Sequence, residues 1–411
     1  MAITPPKLDV RGLDAVGDPE FATLTGTDTH QQFLQFAAVP VVVDAAHLSA
    51  LKRLAQLLDA ALRAIVENYF DDSRIRAIYR RPESLERILQ HTRGHPYKVG
   101  FYRPDFIYDK AGQPRICEIG SRYPLNGWIL SLLASKAYRL AAERLGLRTQ
   151  SEQVLFLSDL LTLHPPGSTV AMVHEREPGT EIFHLLEALR RQGTEFVQVA
   201  PGRLGTMRGQ LSIDGRLIDR AILELDRSEL PLIAEDALSA LIECEAYLND
   251  VRTLILVHDK RVLAVLCNEA IMLDCLPASD LAELRPYLIP SWAPASAEEA
   301  EIVLSQPDNL IAKRSSGGRG LGTVVRDGSD LALWRALVRN HWADYMFQPY
   351  LQQREFLSPD HESGQSRIHL VGMQLCWNAS SYGIGVFRGS DQAVINLHQN
   401  RGWLHPALVQ I

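Results

Sequence analysis

No stretch of this chain approaches the roughly 20 uninterrupted apolar residues that a membrane helix requires, so no spanning segment of that kind is expected. The first twenty residues lack both a basic and an apolar targeting region, and a cytoplasmic location is the expectation. A cationic excess is missing as well. Lys and Arg number 42 against 49 Asp and Glu, giving a formal net charge of -7 and a pI near 6.0. That balance argues against a broad basic face for nucleic acid, leaves a local basic pocket open, and favours small-molecule chemistry. Five cysteines (Cys117, Cys244, Cys267, Cys275, Cys376) occur without a CxxC pair and read as reduced core thiols rather than a zinc site or a disulfide framework. The histidines show no zinc spacing either, and His258, His369 and His405 read as packing or hydrogen-bonded residues. There is no internal repeat, no Walker A loop and no dinucleotide fingerprint.

What is present fits a multidomain globular chain: 411 residues, 46% apolar and 22% charged, enough for two or three packed units. The expected class is α/β (α+β). Residues 1–95 form an N-terminal, largely helical region, marked by helical spacing of apolar residues over 45–70. Residues 96–150 hold two strands around the turn at 109–114, then a helix. Residues 165–250 read as an α/β (βαβ) domain of apolar strands alternating with a helix. A helical stretch runs from roughly 233 to 284, and residues 251–411 go on with a Pro-rich segment, a strand entering a glycine-rich loop, and short β segments, the last of them at 392–398.

The densest chemical signal runs from Lys313 to Gly322. Ser315, Ser316, Gly317, Gly318, Arg319 and Gly320 form a glycine-rich turn between two strands, whose backbone N–H groups can approach an anion closely. A plain hairpin turn explains the glycines equally well. Lys313 favours phosphate, because a lysine ending an apolar strand just before such a loop delivers a compact cation to it. Lys260 also sits in an apolar stretch, where a snorkelling surface cation is the alternative reading. Upstream, Arg103 and Asp105 share one face of a strand, and Glu118 falls on the neighbouring strand, near enough to share a divalent ion with Asp105. Two hard carboxylates, completed by phosphate oxygens and water, suit Mg²⁺. A surface ion pair is the alternative, and the apolar neighbours Phe101, Phe106, Ile107, Ile116 and Ile119 weigh against it. Glu243, Glu245 and Asp250 form an acidic group that suits either an amine or a solvated helix face.

Taken in order, these motifs resemble the glutathionylspermidine synthase family of ATP-grasp ligases, with the metal half of the site preceding the phosphate-loop half. The resemblance rests on Arg103-Pro104-Asp105, Glu118-Ile119-Gly120, Asp259-Lys260, Lys313-Arg314 through Gly322, Gln348, and Gly383 through Arg388. It implies an ATP-grasp fold in permuted order with an inserted βαβ domain. Mg²⁺ would be held by Asp105 and Glu118, ATP phosphates by Lys260, Lys313 and the loop, and the adenine border by Gln348. Arg388 would line the phosphate pocket, and Arg103 would act catalytically on the transferring phosphoryl group. Gly120 stands where the family has an asparagine, so water, Ser121 or Asn126 must complete the metal shell; Arg314 stands where it has a proline. The function implied is an ATP- and Mg-dependent carboxylate–amine ligase that forms an amide through an acyl phosphate on small-molecule substrates. The alternatives are a phosphotransferase or acyl-thiol ligase, or a degenerate nucleotide-binding module. Neither nucleic acid nor membrane is expected as a partner, and a homodimer is left open.

Overall fold

The structure, a computed structural model, describes residues 8–10, 36–37, 39–150, 152–176, 179, 181–243, 245, 248–317, 320, 322–360, 364–395, 397 and 402–410. Its class is mixed α/β. Among the described residues no helix is long and apolar enough to cross a membrane.

Helix α1 (Ala45–Glu67) starts where Asp44 caps it, its side chain accepting from the His47 N–H at 2.6 Å. Its apolar stripe, Leu51, Leu54, Ala55, Leu58, Leu62 and Ile65, is fully buried. Each of those leucines contributes roughly 1.5–3 kcal/mol by leaving water. The stripe lies against the main antiparallel sheet, to which it is pinned by Tyr102 Oη donating to Ala55 O at 3.0 Å. Gln374 Nε2 donates to Leu51 O on the same helix.

That sheet holds β1 (Phe101–Tyr108) and β2 (Pro114–Gly120), a hairpin whose turn is set by Asp109. Asp109 Oδ1 accepts from Gln113 N at 2.9 Å, and Gly112 takes the left-handed conformation (φ 80°) that the turn needs. After β2 comes α2 (Trp128–Ala137), entered through Gly127.

The next unit is a parallel three-stranded sheet: β3 (Thr169–Val173), α3 (Ile182–Arg191), β4 (Glu195–Val199) and β5 (Arg220–Leu223), in the order β5-β3-β4. All five residues of β3 are buried, as an apolar strand covered on both faces should be. The stretch after about 233 is not continuous helix. It breaks into short helices and one π-helical turn, Thr253–Val257, in which His258 N donates to Thr253 O at 3.0 Å. That extra residue in the turn redirects the chain just before Asp259 and Lys260.

A small sheet follows, with β6 (Leu310–Arg314) between β7 (Val324–Val325) and β8 (Tyr345–Pro349), all antiparallel. The main sheet is then completed by β9 (Gly364–Trp377), β10 (Phe387–Ser390) and β11 (Trp403–His405), giving β11-β10-β9-β1-β2. Backbone contact is tight at Gly372, where a Cβ would come within 2.5 Å of the Phe106 ring. The strand expected at 392–398 is absent among its described residues: Gln392–Ile395 turn instead, with Gln392 N donating to Ser390 Oγ at 3.1 Å, and 396 and 398 lie outside the described set.

Candidate functional site

The site residues ride on the β1–β2 hairpin, whose alternation sets their direction. Arg103 and Asp105 share a face of β1, and the register places Arg103 opposite Gly120 and Asp105 opposite Glu118. Arg103 grips Asp105 with its guanidinium fork, Nε to Oδ1 at 2.7 Å and Nη2 to Oδ2 at 3.0 Å. Arg388, on β10, donates to the same Oδ2. Asp105 is only 3% exposed, and these two cations compensate a charge that burial penalises.

Two lysines arrive on the same hairpin from separate elements. Lys260 Nζ lies 3.2 Å from Glu118 Oε1, and Lys313 Nζ donates to the Cys117 carbonyl at 2.9 Å. Cys117 is the extra residue of a β-bulge between the Asp105–Glu118 and Phe106–Ile116 pairs. Burial pushes the Glu118 carboxyl up, but Lys260 and then Lys313 outweigh it and hold the group down at about 2. Glu118 is therefore a carboxylate at neutral pH. His258 fits the packing role read for it. Its Nδ1 accepts from Ser121 N at 3.2 Å, and burial followed by Lys260 lowers its pKa to about 3, so the ring is neutral.

The glycine-rich loop is latched to Lys260 in this state. Ser315 O accepts from Lys260 N at 3.2 Å, Gly317 O accepts from Lys260 Nζ at 2.9 Å, and Ser315 N donates to Asp344 O at 2.7 Å. Ser315 is buried and Ser316 partly so, while Gly317 and Gly320 sit at φ 96° and 68°, conformations that glycine adopts freely. Gly318 and Arg319 lie outside the described residues.

Gln348 shares a face of the β6–β8 pair with Lys313, since Ile311 pairs with Gln348 and Lys313 with Met346. It is fully buried; its Nε2 donates to Ser291 Oγ at 2.8 Å, and its Oε1 has no partner among the described residues. Ser291 belongs to the wall of a cleft of about 930 Å³ that also includes Ile289, Trp292, Ala264 and Cys267. The charged cluster itself stands outside that cleft's lining.

Behind Lys260, the buried Asp259 gathers three arginines. Arg81 Nη2 and Arg227 Nη1 reach its Oδ2 at 2.5 Å each, and Arg261 Nε reaches Oδ1 at 3.0 Å. The cluster ties two separate chain segments, around Arg81 and Arg227, to the turn that presents Lys260. Residue type alone carries no signal for it.

The structure gathers Arg103, Asp105, Glu118, Lys260, Lys313 and Arg388, and leaves Gln348 farther along the same face as Lys313. Of the groups expected to complete a metal shell at Gly120, Asn126 is exposed, and its backbone carbonyl accepts from Arg103 Nη1 at 2.9 Å. Ser121 Oγ is buried without a partner among the described residues. Asp105 and Glu118 are the only pair of facing carboxylates on the hairpin, and no group of three or more His, Cys, Asp or Glu is placed to hold a metal among the described residues. A two-carboxylate donor set fits Mg²⁺ that takes its other ligands from phosphates and water. The acidic group at Glu243, Glu245 and Asp250 does not converge. Asp250 is buried against Arg252, whose Nη2 donates to its Oδ2 at 2.6 Å, whereas Glu243 and Glu245 are exposed.

Residues 54–256, just under half of the chain, match the family described as the AnkG N-terminal domain. No curated protein matches the chain. The family match overturns the resemblance to glutathionylspermidine synthase and its ATP-grasp relatives, which rests on a handful of charged residues and glycines in order. Charged residues at strand ends and glycines in turns recur on unrelated folds, so their order alone does not show descent. The matched span includes Arg103, Asp105 and Glu118 and ends before Lys260, Lys313 and the loop; over it, the chain is similar to the AnkG N-terminal domain.

Proposed function

We propose that the chain binds Mg-ATP between the β1–β2 hairpin and the β6–β8 sheet and uses it as an ADP-forming carboxylate–amine ligase. The observation that carries this reading is the convergence of Lys260 and Lys313 on the strand bearing Glu118, beside the Arg103–Asp105–Arg388 cluster. Paired lysines, paired carboxylates and a glycine loop are the parts phosphoryl transfer needs, because that reaction is promoted by positioning and charge neutralisation. A grasp of nucleotide between two antiparallel sheets is the finer fold that goes with this function.

In this reading Asp105 and Glu118 hold Mg²⁺, which neutralises the phosphate oxygens when bound. Lys260 and Lys313 exchange their present contacts, Glu118 with Gly317 O and Cys117 O, for phosphate oxygens. Releasing Gly317 O from Lys260 frees the loop to close over the nucleotide and shield an acyl phosphate from water. Arg103 keeps its fork on Asp105 and offers its positive charge to the transferring phosphoryl. Gln348, with a buried carbonyl unpartnered among the described residues, accepts from an N–H donor such as an adenine amino group.

The test is phosphate release from Mg-ATP with pooled amino acids, small dipeptides and amines, wild type beside Lys313→Ala. Release that needs both a carboxylate and an amine, and that disappears in the variant, supports the ligase. Release with the carboxylate alone favours a phosphotransferase, and nucleotide binding without turnover favours a binding module. The last alternative draws on Gly120, which supplies no third oxygen to the carboxylate pair.

A further inference from the structure

Near Arg103 stands a second pair of carboxylates, Glu181 and Glu224, that the phosphate chemistry leaves unused. Glu181 immediately precedes α3 and is 5% exposed. Its Oε1 accepts from Gly127 N at 2.6 Å and its Oε2 from Leu130 N at 2.9 Å. The Asn126–Gly127 peptide that Glu181 holds by its N–H is the same peptide whose carbonyl accepts from Arg103 Nη1 at 2.9 Å. Glu181 is thereby fixed one peptide plane away from the Arg103–Asp105 pair.

Glu224 directly follows β5 and is 1% exposed. This is the carboxyl edge of the parallel sheet, where open α/β sheets take their ligands. Its Oε2 accepts from Gly179 N at 2.7 Å, which leaves Oε1 buried and without a hydrogen-bond partner among the described residues. Gly179 is pressed between the two groups: a Cβ there would meet Glu224 Oε2 at 2.8 Å and the Tyr123 ring at 3.3 Å. Ser121 Oγ is also buried and unpartnered among the described residues. Its neighbour Arg122 donates through Nε to Leu225 O, which lays the 121–123 segment along the strand end.

The chemistry of these atoms selects a class of ligand. Glu224 Oε1 can only accept while ionised, Ser121 Oγ can accept, and Glu181 adds a second negative charge. The nearby cations are already engaged: Arg103 is bidentate on Asp105, and Arg122 lies 3.7 Å from Asp226 and 4.4 Å over the Tyr123 ring. An anionic ligand would find no unengaged cation there among the described residues, whereas a group with several N–H donors and a positive charge satisfies the orphaned acceptors.

We infer that Glu224, with Glu181 and Ser121, seats the ammonium group of the amine substrate and takes its proton. This inference rests on the ligase reading and assigns its nucleophile site. The ammonium gives one proton to the Glu224 carboxylate, which frees the nitrogen lone pair. The new C–N bond forms as the acyl C–O bond to phosphate breaks, phosphate leaves with that electron pair, and the second nitrogen proton passes to the phosphate. Burial pushes both carboxyls up to about 7, a range suited to proton exchange near neutral pH; the Glu181 charge adds to the rise at Glu224, while Arg122 opposes it there and Arg103 opposes it at Glu181.

The experiment is calorimetric titration of ethanolamine, glycinamide and 1,4-diaminobutane into the full chain saturated with Mg-ADP, for wild type, Glu224→Gln and Glu181→Gln. At least one amine should bind wild type and weaken about tenfold or more in Glu224→Gln, as loss of a charged hydrogen bond implies, with Mg-ADP affinity retained. If Glu224→Gln melts early or loses Mg-ADP, Glu181→Gln gives the same readout. Equal amine affinity in wild type and variants overturns the assignment, as does binding of none of the three amines while Mg-ADP binds. Failure of wild type to bind Mg-ADP removes the nucleotide reading itself and this inference with it.

Discussion

Arg103 and Glu181 grip the same peptide from its two ends, Arg103 donating to the Asn126 carbonyl at 2.9 Å and Glu181 accepting from the Gly127 N–H at 2.6 Å. The clamp works only because residue 127 is glycine. At φ 91° a side chain is strained, and a Cβ would lie 2.9 Å from Arg103 Nη1 and 3.0 Å from Met373 Sδ. Gly127→Ala should therefore destabilise the fold by about 2–4 kcal/mol, combining backbone strain with overpacking. It should also displace Arg103 from Asp105. Denaturant melts and Mg-ATP titration of the variant check both effects, and a wild-type melt with unchanged affinity would refute the clamp.

Gly120 pairs across from Arg103 and stands two residues beyond Glu118, on the same face of β2. Its Cβ position is open: the nearest atoms, Arg103 O and Nη2, are 3.7 and 3.8 Å away. Gly120→Asn should thus be tolerated and should add an oxygen beside the two carboxylates. The expected result is a several-fold drop in the Mg²⁺ concentration needed to support ADP binding, about 1 kcal/mol for one extra ligand. An unchanged requirement would place the metal elsewhere.

The buried carboxyls give opposite pH signatures. Glu118 is held at about 2, below its ordinary 4.5, so the stability it contributes is present above 4.5 and is lost as pH falls from 4.5 toward 2. Glu224 is raised to about 7, so the folded state holds its proton more tightly, and stability falls as pH rises from 4.5 through 7. Glu224→Gln should then be more stable than wild type at pH 8, on the order of 2–3 kcal/mol, with the gain shrinking toward pH 5. Urea melts at the two pH values measure it; a pH-independent difference would show that Glu224 does not titrate in the fold.

The latch between Lys260 and the loop gives a conformational prediction. With Gly317 O bound to Lys260 Nζ, the loop is held to a residue that nucleotide must engage. Hydrogen exchange over residues 315–317 should change on addition of Mg-ADP, and the change should disappear in Lys260→Ala. Identical exchange with and without nucleotide in wild type would mean that the loop takes no part.

The legible parts of the fold are those with local causes. The β1–β2 hairpin follows from the Asp109–Gly112 turn, α1 from its buried stripe, and β3 from an unbroken apolar run. Asp105 and Glu118 were readable as neighbours because alternation and a short turn fix which residues face each other. Illegible features depend on distant segments. Glu181, just before α3, and Glu224, just after β5, come from the parallel unit, and only the charge ending the apolar run of β5 hints at the second. Asp259 draws Arg81 and Arg227 from far along the chain, and no local pattern marks that meeting. Of the acidic residues at 243–250, Glu243 and Glu245 are exposed as on a solvated face, while nothing local marks that Asp250 turns inward to Arg252.

In the proposed function, nucleotide phosphates replace the present partners of Lys260 and Lys313. Calorimetric titration of ATP with and without Mg²⁺, into wild type and Lys313→Ala, tests it most directly. Mg-dependent binding to wild type is expected, with a loss of about tenfold or more in the variant, the scale of one buried charged contact. Wild type that fails to bind ATP, or a variant that binds it equally well, would contradict it.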